Sequence, residues 1–363
     1  VAKRLSSDPT LFAVTAALMG FGLVMVWSAS SALAQENYGN AYYFLIRQSL
    51  WATIGLAVMV SAMRADYRTL RRPAVIFSAL AASALLLILV LFLKPVNDTH
   101  RWIRLAGLSF QPAELAKLTV ILYLAYHLEK KGEAVNDFLS GLFPPLLLLG
   151  WFAFLIYIQP DLGSAATLVL IGGTMLFLAG VRLRFFATFG LVGLALLYLA
   201  ITVASYRAHR IEAFLDPYAD PMRSGYQIIQ SLIAVGTGGV SGVGLMEGRQ
   251  KLFYLPYPYS DFIFAVIGEE LGLLGASAIV LGFLLFLWRG IRAAWKAPDP
   301  FGMFLAAGLT LAIVLQALIN VSVVLGLLPT KGIPLPFISA GGSSLVLTLL
   351  AVGLVLNVSQ HAD

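Results

Sequence analysis

Leu255-Pro256-Tyr257-Pro258-Tyr259-Ser260-Asp261-Phe262-Ile263-Phe264 closes the longest polar interval in this sequence and opens onto an apolar run. That run is long enough to enter a bilayer, whose hydrocarbon core takes roughly 20 apolar residues in a helix. The two prolines lock their own φ and bias the residues before them toward extended backbone. Tyr257, Tyr259 and Phe262 suit the headgroup level, where an aromatic ring finds both a wet and an oily side. Asp261 therefore stands at a fixed depth on one face of a membrane. Two readings of it are open: a helix N-cap, a role Asp often fills, and a functional acid at the membrane edge.

Working outward, the chain repeats this pattern. Of 363 residues, 60% are hydrophobic and 12% charged, about half the charge of a soluble domain. The apolar residues fall in blocks that predict ten spans, at about 10–34, 41–62, 73–93, 110–129, 139–159, 161–180, 185–204, 262–288, 301–327 and 337–358. The fold class is an all-α polytopic membrane protein, a single integral membrane domain over 1–363 with a long loop at 205–261 between the seventh and eighth spans. The first block is too long for a cleavable signal peptide.

The loops alternate in charge. One side holds Lys3, Arg4, Arg64, Arg68, Arg71, Arg72, Lys130, Lys131, Arg182, Arg184, Arg289, Arg292 and Lys296; the short loops opposite hold Lys94, Arg101, Arg104 and Lys331. Thirteen against four puts both termini in the cytoplasm and Asp261 outside. The net charge of +6 is thus topology signalling toward membrane lipids, and nucleic acid is not expected as a partner. With no cysteine, disulfides, thiolate nucleophiles and Cys metal sites are excluded. His100, His127, His209 and His361 lack ligand spacing, which argues against a His-based zinc site.

Several polar groups share Asp261's side. Pro112 suits the first position of the fourth span, which puts Glu114 in its first turn, where the helix dipole favours an anion. Lys117 follows three residues on and can face Glu114; a purely structural pair and a functional one both fit. Asp161 begins the sixth span after a tight turn, with N-cap its ordinary reading. In the long loop, Gln227 precedes the glycine-rich stretch Gly236-Thr237-Gly238-Gly239-Val240-Ser241-Gly242-Val243-Gly244, whose backbone could either aim N–H groups at an anion or simply turn. Arg249 and Lys251 come next, as cations for a phosphate. Were Asp261 and its successors continuously helical, Glu269 would lie roughly 80° from Asp261 around the helix and Glu270 roughly opposite, so Glu269 is the better candidate for the same cavity. The last outer loop carries Lys331 and Gly332-Ile333-Pro334-Leu335-Pro336-Phe337-Ile338-Ser339, then Gly341-Gly342-Ser343-Ser344, a broken helix entry that suits either a wet cavity or close helix packing.

Together these stretches resemble the SEDS family of bacterial cell-wall polymerases, and most of all its elongation branch, the RodA proteins. The resemblance covers nearly the whole chain. Its carriers are Arg101-Trp102 with Phe110-Gln111-Pro112 and Glu114-Leu115-Ala116-Lys117; Gln159-Pro160-Asp161-Leu162-Gly163; Tyr226-Gln227 with Gln230-Ser231-Leu232-Ile233-Ala234; Asp261-Phe262-Ile263-Phe264-Ala265 with Glu269-Glu270-Leu271-Gly272; and the Gly332–Ser344 stretch. The sequence departs from the pattern at Ala113, Tyr257, Ser260 and Ala340, where Ser, an acid, Thr and Tyr are usual. The resemblance implies ten helices, an outer-face cavity in the bacterial inner membrane, and glycosyl transfer from lipid II with Asp261 as the essential acid. It also implies a class B penicillin-binding transpeptidase and cell-shape proteins of the elongation machinery as partners. The chemistry expected is inversion, with one carboxylate taking a hydroxyl proton. Cations would meet the pyrophosphate: Arg101, Lys117, Arg249 and Lys251, with a divalent ion, Mg2+ or Mn2+, as a candidate to share that charge. No organic cofactor is expected. A lipid II flippase and a non-catalytic scaffold for a transpeptidase are the competing readings.

Overall fold

The computed structural model describes residues 7–95, 99–105, 108–202 and 205–361; Lys3 and Arg4, counted above toward topology, lie outside the described residues. Ten helices occupy the ten expected segments: α1 (Pro9–Tyr38), α2 (Tyr43–Arg64), α3 (Pro73–Leu89), α4 (Pro112–Lys131), α5 (Phe143–Ile158), α6 (Leu162–Leu178), α7 (Leu183–Thr202), α10 (Ile263–Trp295), α11 (Pro300–Val324) and α12 (Gly342–Gln360). Two more, α8 (Ser205–Leu215) and α9 (Tyr226–Gly238), organise the long loop. A short antiparallel hairpin, β1 (Ile103–Leu105) and β2 (Leu108–Phe110), pairs Ile103 with Phe110 ahead of α4.

Among the described residues, eight helices are long and apolar enough to cross a membrane by themselves. The two exceptions among the ten have separate causes. α6 is short at 17 residues. α4 has the length but carries Glu114 and Lys117, and it survives because 15 of its 20 residues are buried, so its charges face protein rather than lipid. α4 packs against α3, α5, α6, α11 and α12 and forms the centre of the bundle. α7 is the opposite case: none of its residues is buried, and an apolar helix exposed all round is one whose surroundings are lipid.

Local rules set the ends. Asp8 and Asp299 each precede a proline at the first helical position and accept a backbone N–H, from Leu11 at 3.0 Å and Gly302 at 2.8 Å. The cytoplasmic face expected from the charge bias gathers ion pairs between helix ends: Asp8 with Arg289, Glu129 with Arg71 at 2.8 Å, and Asp299 with Arg68 at 3.7 Å. Small residues let α2 and α12 approach closely, with Gly55 against Leu349 and Gly353 against Met59 and Ala62.

α10 is not one continuous helix. Gly272, at φ 63° and ψ −161°, interrupts it, a backbone that glycine adopts without steric cost. The freed backbone groups are taken up by the glycine-rich stretch. Leu273 and Leu274 N–H donate to the carbonyls of Gly239 and Val240 at 2.9 and 3.1 Å; Val243 and Gly244 N–H donate to those of Glu269 and Glu270 at 3.0 Å each. Of the two readings of that stretch the structural one holds. Two of its N–H groups that could have met an anion are committed to sealing a helix break.

Candidate active site at the outer helix ends

Asp261 lies just before α10, whose N-cap position is Phe262 and whose first turn has no side-chain cap. The N-cap reading of Asp261 is therefore set aside, and its half-buried carboxylate is not engaged in closing the helix. Two bonds fasten its loop to the 330–340 segment and a third fastens it to α11. Ala340 N–H donates to Tyr259 O at 2.9 Å, Ser339 Oγ to Ser260 O at 2.5 Å, and Asn320 Nδ2 of α11 to Asp261 O at 2.8 Å. Tyr259 also stacks on Phe44 of α2, with centroids 4.5 Å apart. Gln48 of α2 holds the far end of the segment, donating to Ser339 O at 3.1 Å and accepting from Gly341 N–H at 3.3 Å. Tyr257 and Phe337 flank the junction at φ 52° and 66°, backbone that non-glycine residues adopt at a cost of order 1–3 kcal/mol and that clusters at functional sites.

The neighbouring charges form one cluster. Asp161 caps α6 through Ser164 N–H at 3.1 Å and also accepts from Lys331 Nζ at 2.6 Å and Gln111 Nε2 at 3.3 Å. Arg101 Nε stands 3.9 Å from it, and the Arg101 guanidinium is held by the carbonyls of Gln159 and Pro160. Asp161 is thus both the cap expected of it and a member of the site. Burial pushes its pKa up, but Lys331 and Arg101 outweigh that and hold it at about 2. Burial pushes Lys331 down and Asp161 only partly restores it. Asp261 goes the other way. Burial raises it above an ordinary aspartate, and the Ser260 hydrogen bond, Arg101, Lys331 and Arg210 only partly offset this. Gly332 abuts it: a Cβ there would sit 2.5 Å from Asp261 Oδ2.

The other expected residues divide. Ser343, buried at the start of α12, accepts from Gln111 N–H at 3.3 Å and so touches the cluster's edge. Glu114 and Lys117 do pair, at 2.8 Å, and Lys117 donates to Gln316 Oε1 at 2.7 Å. They line a cavity of about 30 Å³ between α4, α11 and α12, beneath the cluster rather than in it. Lys251 and Glu269 do not join this cluster. Lys251 is buried against Glu270 at 2.7 Å, Ser28 Oγ at 3.0 Å and Met246 O at 2.9 Å. Glu269 accepts backbone N–H groups from Arg249 at 2.7 Å and Gln250 at 3.1 Å. Both acids tie the 246–251 segment to α10. The helical-wheel placement of Glu269 fails because Phe262, at φ −113° and ψ 21°, breaks the spacing from Asp261. Arg249 is exposed beside that segment, and Gln227, half-buried on α9, makes no hydrogen bond to the cluster among the described residues.

The sequence did not single out as site residues Arg210, which reaches Thr330 O at 3.4 Å, Gln111, quoted above only within a motif, or Gln316 and Asn320. The two α11 amides did carry a signal: polar residues four apart in an apolar span share one face. Among the described residues no group of three His, Cys, Asp or Glu could hold a metal, and Asp161 is already occupied by its two cations. These residues do not form a protein-only metal site.

The chain and its fold match known proteins. The FtsW/RodA/SpoVE model, described as "Cell cycle protein", matches residues 9–363. A Geobacter sulfurreducens protein named "Probable peptidoglycan glycosyltransferase FtsW" is 46% identical over 358 residues, 98% of this chain and 95% of the relative. A solved structure described as "Structural coordination of polymerization and crosslinking by a peptidoglycan synthase complex" superposes with TM-score 0.80 at 31% identity, covering 98% and 99% of the two chains. The Thermus thermophilus rod shape determining protein RodA superposes with TM-score 0.72 at 28% identity, covering 98% of each.

Proposed function

The chain belongs to the FtsW/RodA/SpoVE cell cycle family, the SEDS proteins, and from that premise we propose that it polymerises lipid II at the outer face of the bacterial inner membrane, with Asp261 as general base. It is a multi-pass membrane protein and a peptidoglycan glycosyltransferase. The observation that carries the finer reading is Asp261 itself. It is a half-buried carboxylate, released from capping, among Lys331, Arg101 and Arg210 at the outer helix ends.

In this reading the acceptor's sugar hydroxyl gives its proton to an Asp261 oxygen as its own oxygen bonds the donor's anomeric carbon. The bond from that carbon to the pyrophosphate breaks, and undecaprenyl pyrophosphate leaves with the electron pair. One base and one displacement invert the centre. The leaving charge falls to Lys331, Arg101 and Arg210. Asp161 holds the first two in place while keeping its own proton off. A divalent ion, if used, would have to arrive with the pyrophosphate, which would supply most of its ligands. The membrane fixes the depth of both lipid-linked sugars, a proximity contribution. Identity of 46% to an FtsW protein against 28% to RodA favours a role in division over the elongation role that the motifs suggested. A class B penicillin-binding transpeptidase is the natural partner, since a glycan strand must be crosslinked, and both termini are assigned to the cytoplasm.

The test is purified protein with labelled lipid II. Glycan polymer on a gel supports this reading. Lipid II crossing vesicle membranes with no polymer formed supports the flippase instead. The α10 break does not favour transport, because its backbone groups are sealed by the 239–244 stretch rather than left to line a passage.

A further inference from the structure

Nothing in α10 fixes the Asp261 carboxylate, because Asp261 and Phe262 precede its regular turns. What reaches Asp261 from the membrane interior is a ladder of amides on α11. Gln316 Oε1 accepts from Lys117 Nζ at 2.7 Å, and Gln316 Nε2 donates to Pro334 O at 3.0 Å. One turn on, Asn320 Nδ2 donates to Ile333 O at 2.7 Å and to Asp261 O at 2.8 Å. Both amides are buried, with Asn320 only 1% exposed and its Oδ1 without a hydrogen-bond partner. That unpaired oxygen costs free energy a plain packing residue would not incur. The choice of carbonyls also follows from the sequence. Pro334 and Pro336 have no N–H, so this part of the loop can be indexed mainly through its oxygens.

We propose that Gln316 and Asn320 are positioning residues for the transfer: they read two successive carbonyls of the Ile333–Pro334 segment and tie that segment, and through Asn320 the base loop, to the Glu114–Lys117 pair. The inference rests on the glycosyltransferase reading and extends it by giving the deep ion pair a task. Glu114 and Lys117 do not touch the Asp261 cluster. Lys117, paired with Glu114, holds Gln316, Gln316 holds Pro334, and Asn320 bridges Ile333 to Asp261. Gly332 immediately precedes the indexed carbonyls, so the same ladder sets the close contact beside the base, while Lys331 is held separately by Asp161 at 2.6 Å.

The test compares wild type with Asn320→Leu, which keeps the volume and removes the donor. Turnover is measured against donor concentration on folded, monodisperse protein. We expect kcat to fall roughly 10- to 100-fold, the loss that a displacement of about 1 Å brings, with KM within about threefold because the donor-binding cations are untouched. Asn320→Ser keeps one short donor and should fall between. Gln316→Leu should lose less, since it acts one carbonyl away from Asp261. In an Asp261→Glu background, where the carboxylate is already displaced, Asn320→Leu should cost distinctly less than in wild type. Hydrogen exchange over Leu255–Phe262 reads the clamp without turnover and should speed up in Asn320→Leu. If wild-type protein makes no polymer, the glycosyltransferase reading fails and the exchange result alone judges the clamp. The proposal is overturned by an unchanged kcat per folded molecule, by a raised KM with normal kcat, or by unchanged exchange over that loop. Should Asn320→Leu not fold, Asn320→Ser and Gln316→Leu decide on the same criteria.

Discussion

Gly332 and Asp261 show how little space the site allows. Because a Cβ at Gly332 meets the tip of a side chain rather than backbone, Gly332→Ala should leave folding near normal while displacing the Asp261 carboxylate. We expect polymerisation to fall at least about tenfold; initial rates on purified protein check this, and an unchanged rate would remove the contact from the mechanism. The charges make a second prediction. A base must be ionised, so activity should be lost as pH falls through the Asp261 pKa, which burial raises above the ordinary 3.8. Facing it are the cations Arg101, Lys331 and Arg210 and the neighbouring Tyr259. Arg101→Ala removes a lowering influence, so the acid limb of the rate profile should move to higher pH and donor engagement should weaken. A profile that does not move would leave Arg101 as a headgroup anchor. Asp261, Arg101, Asp161 and Lys331 were legible in the sequence because charges at span ends have few neighbours to choose from. Lys251 and Glu269 lie outside that cluster, which sequence spacing could not show: Lys251 meets Glu270 and Ser28, and Glu269 takes the backbone N–H groups of Arg249 and Gln250.

The α10 break ties the long loop to the helix that follows Asp261. The short stretch Ile263–Leu271 runs from Asp261 to the Glu269 and Glu270 anchors, and Gly272 lets the 239–244 strand of loop close behind it. A side chain at Gly272 would meet Gly242 N and the Val240 carbonyl, both backbone, at a φ that disfavours L residues. Gly272→Ala should therefore destabilise by about 2–4 kcal/mol, seen as a lower midpoint in thermal unfolding in detergent; an unchanged midpoint would mean the break is not built as described. Glu114 and Lys117 make the matching prediction on α4. Their substitutions should be non-additive in polymerisation rate, and strict additivity in a double-mutant cycle would refute the pairing as a functional unit. The glycines were visible in the sequence, but a glycine-rich stretch is equally suited to an anion and to a neighbouring backbone. Only the register of Val243 and Gly244 against Glu269 and Glu270 decides between them.

At the scale of the molecule, the ten helices were readable because hydrocarbon thickness sets their length and nothing else in the chain imitates it. α8, α9 and the hairpin were not, since amphipathic loop helices and three-residue strands leave no comparable mark. The family was readable from motifs, but those motifs are shared by its branches, so they could not separate elongation from division. A bundle centred on α4, α11 and α12 presents Asp261, which in the proposed reaction takes a proton from a sugar hydroxyl. The measurement that tests this most directly compares polymerisation of labelled lipid II by purified wild type and Asp261→Asn. Asparagine keeps the shape and, had Asp261 been a cap, would replace it well. The account predicts a folded mutant that makes no glycan polymer while wild type does; substantial polymer from folded Asp261→Asn would contradict it.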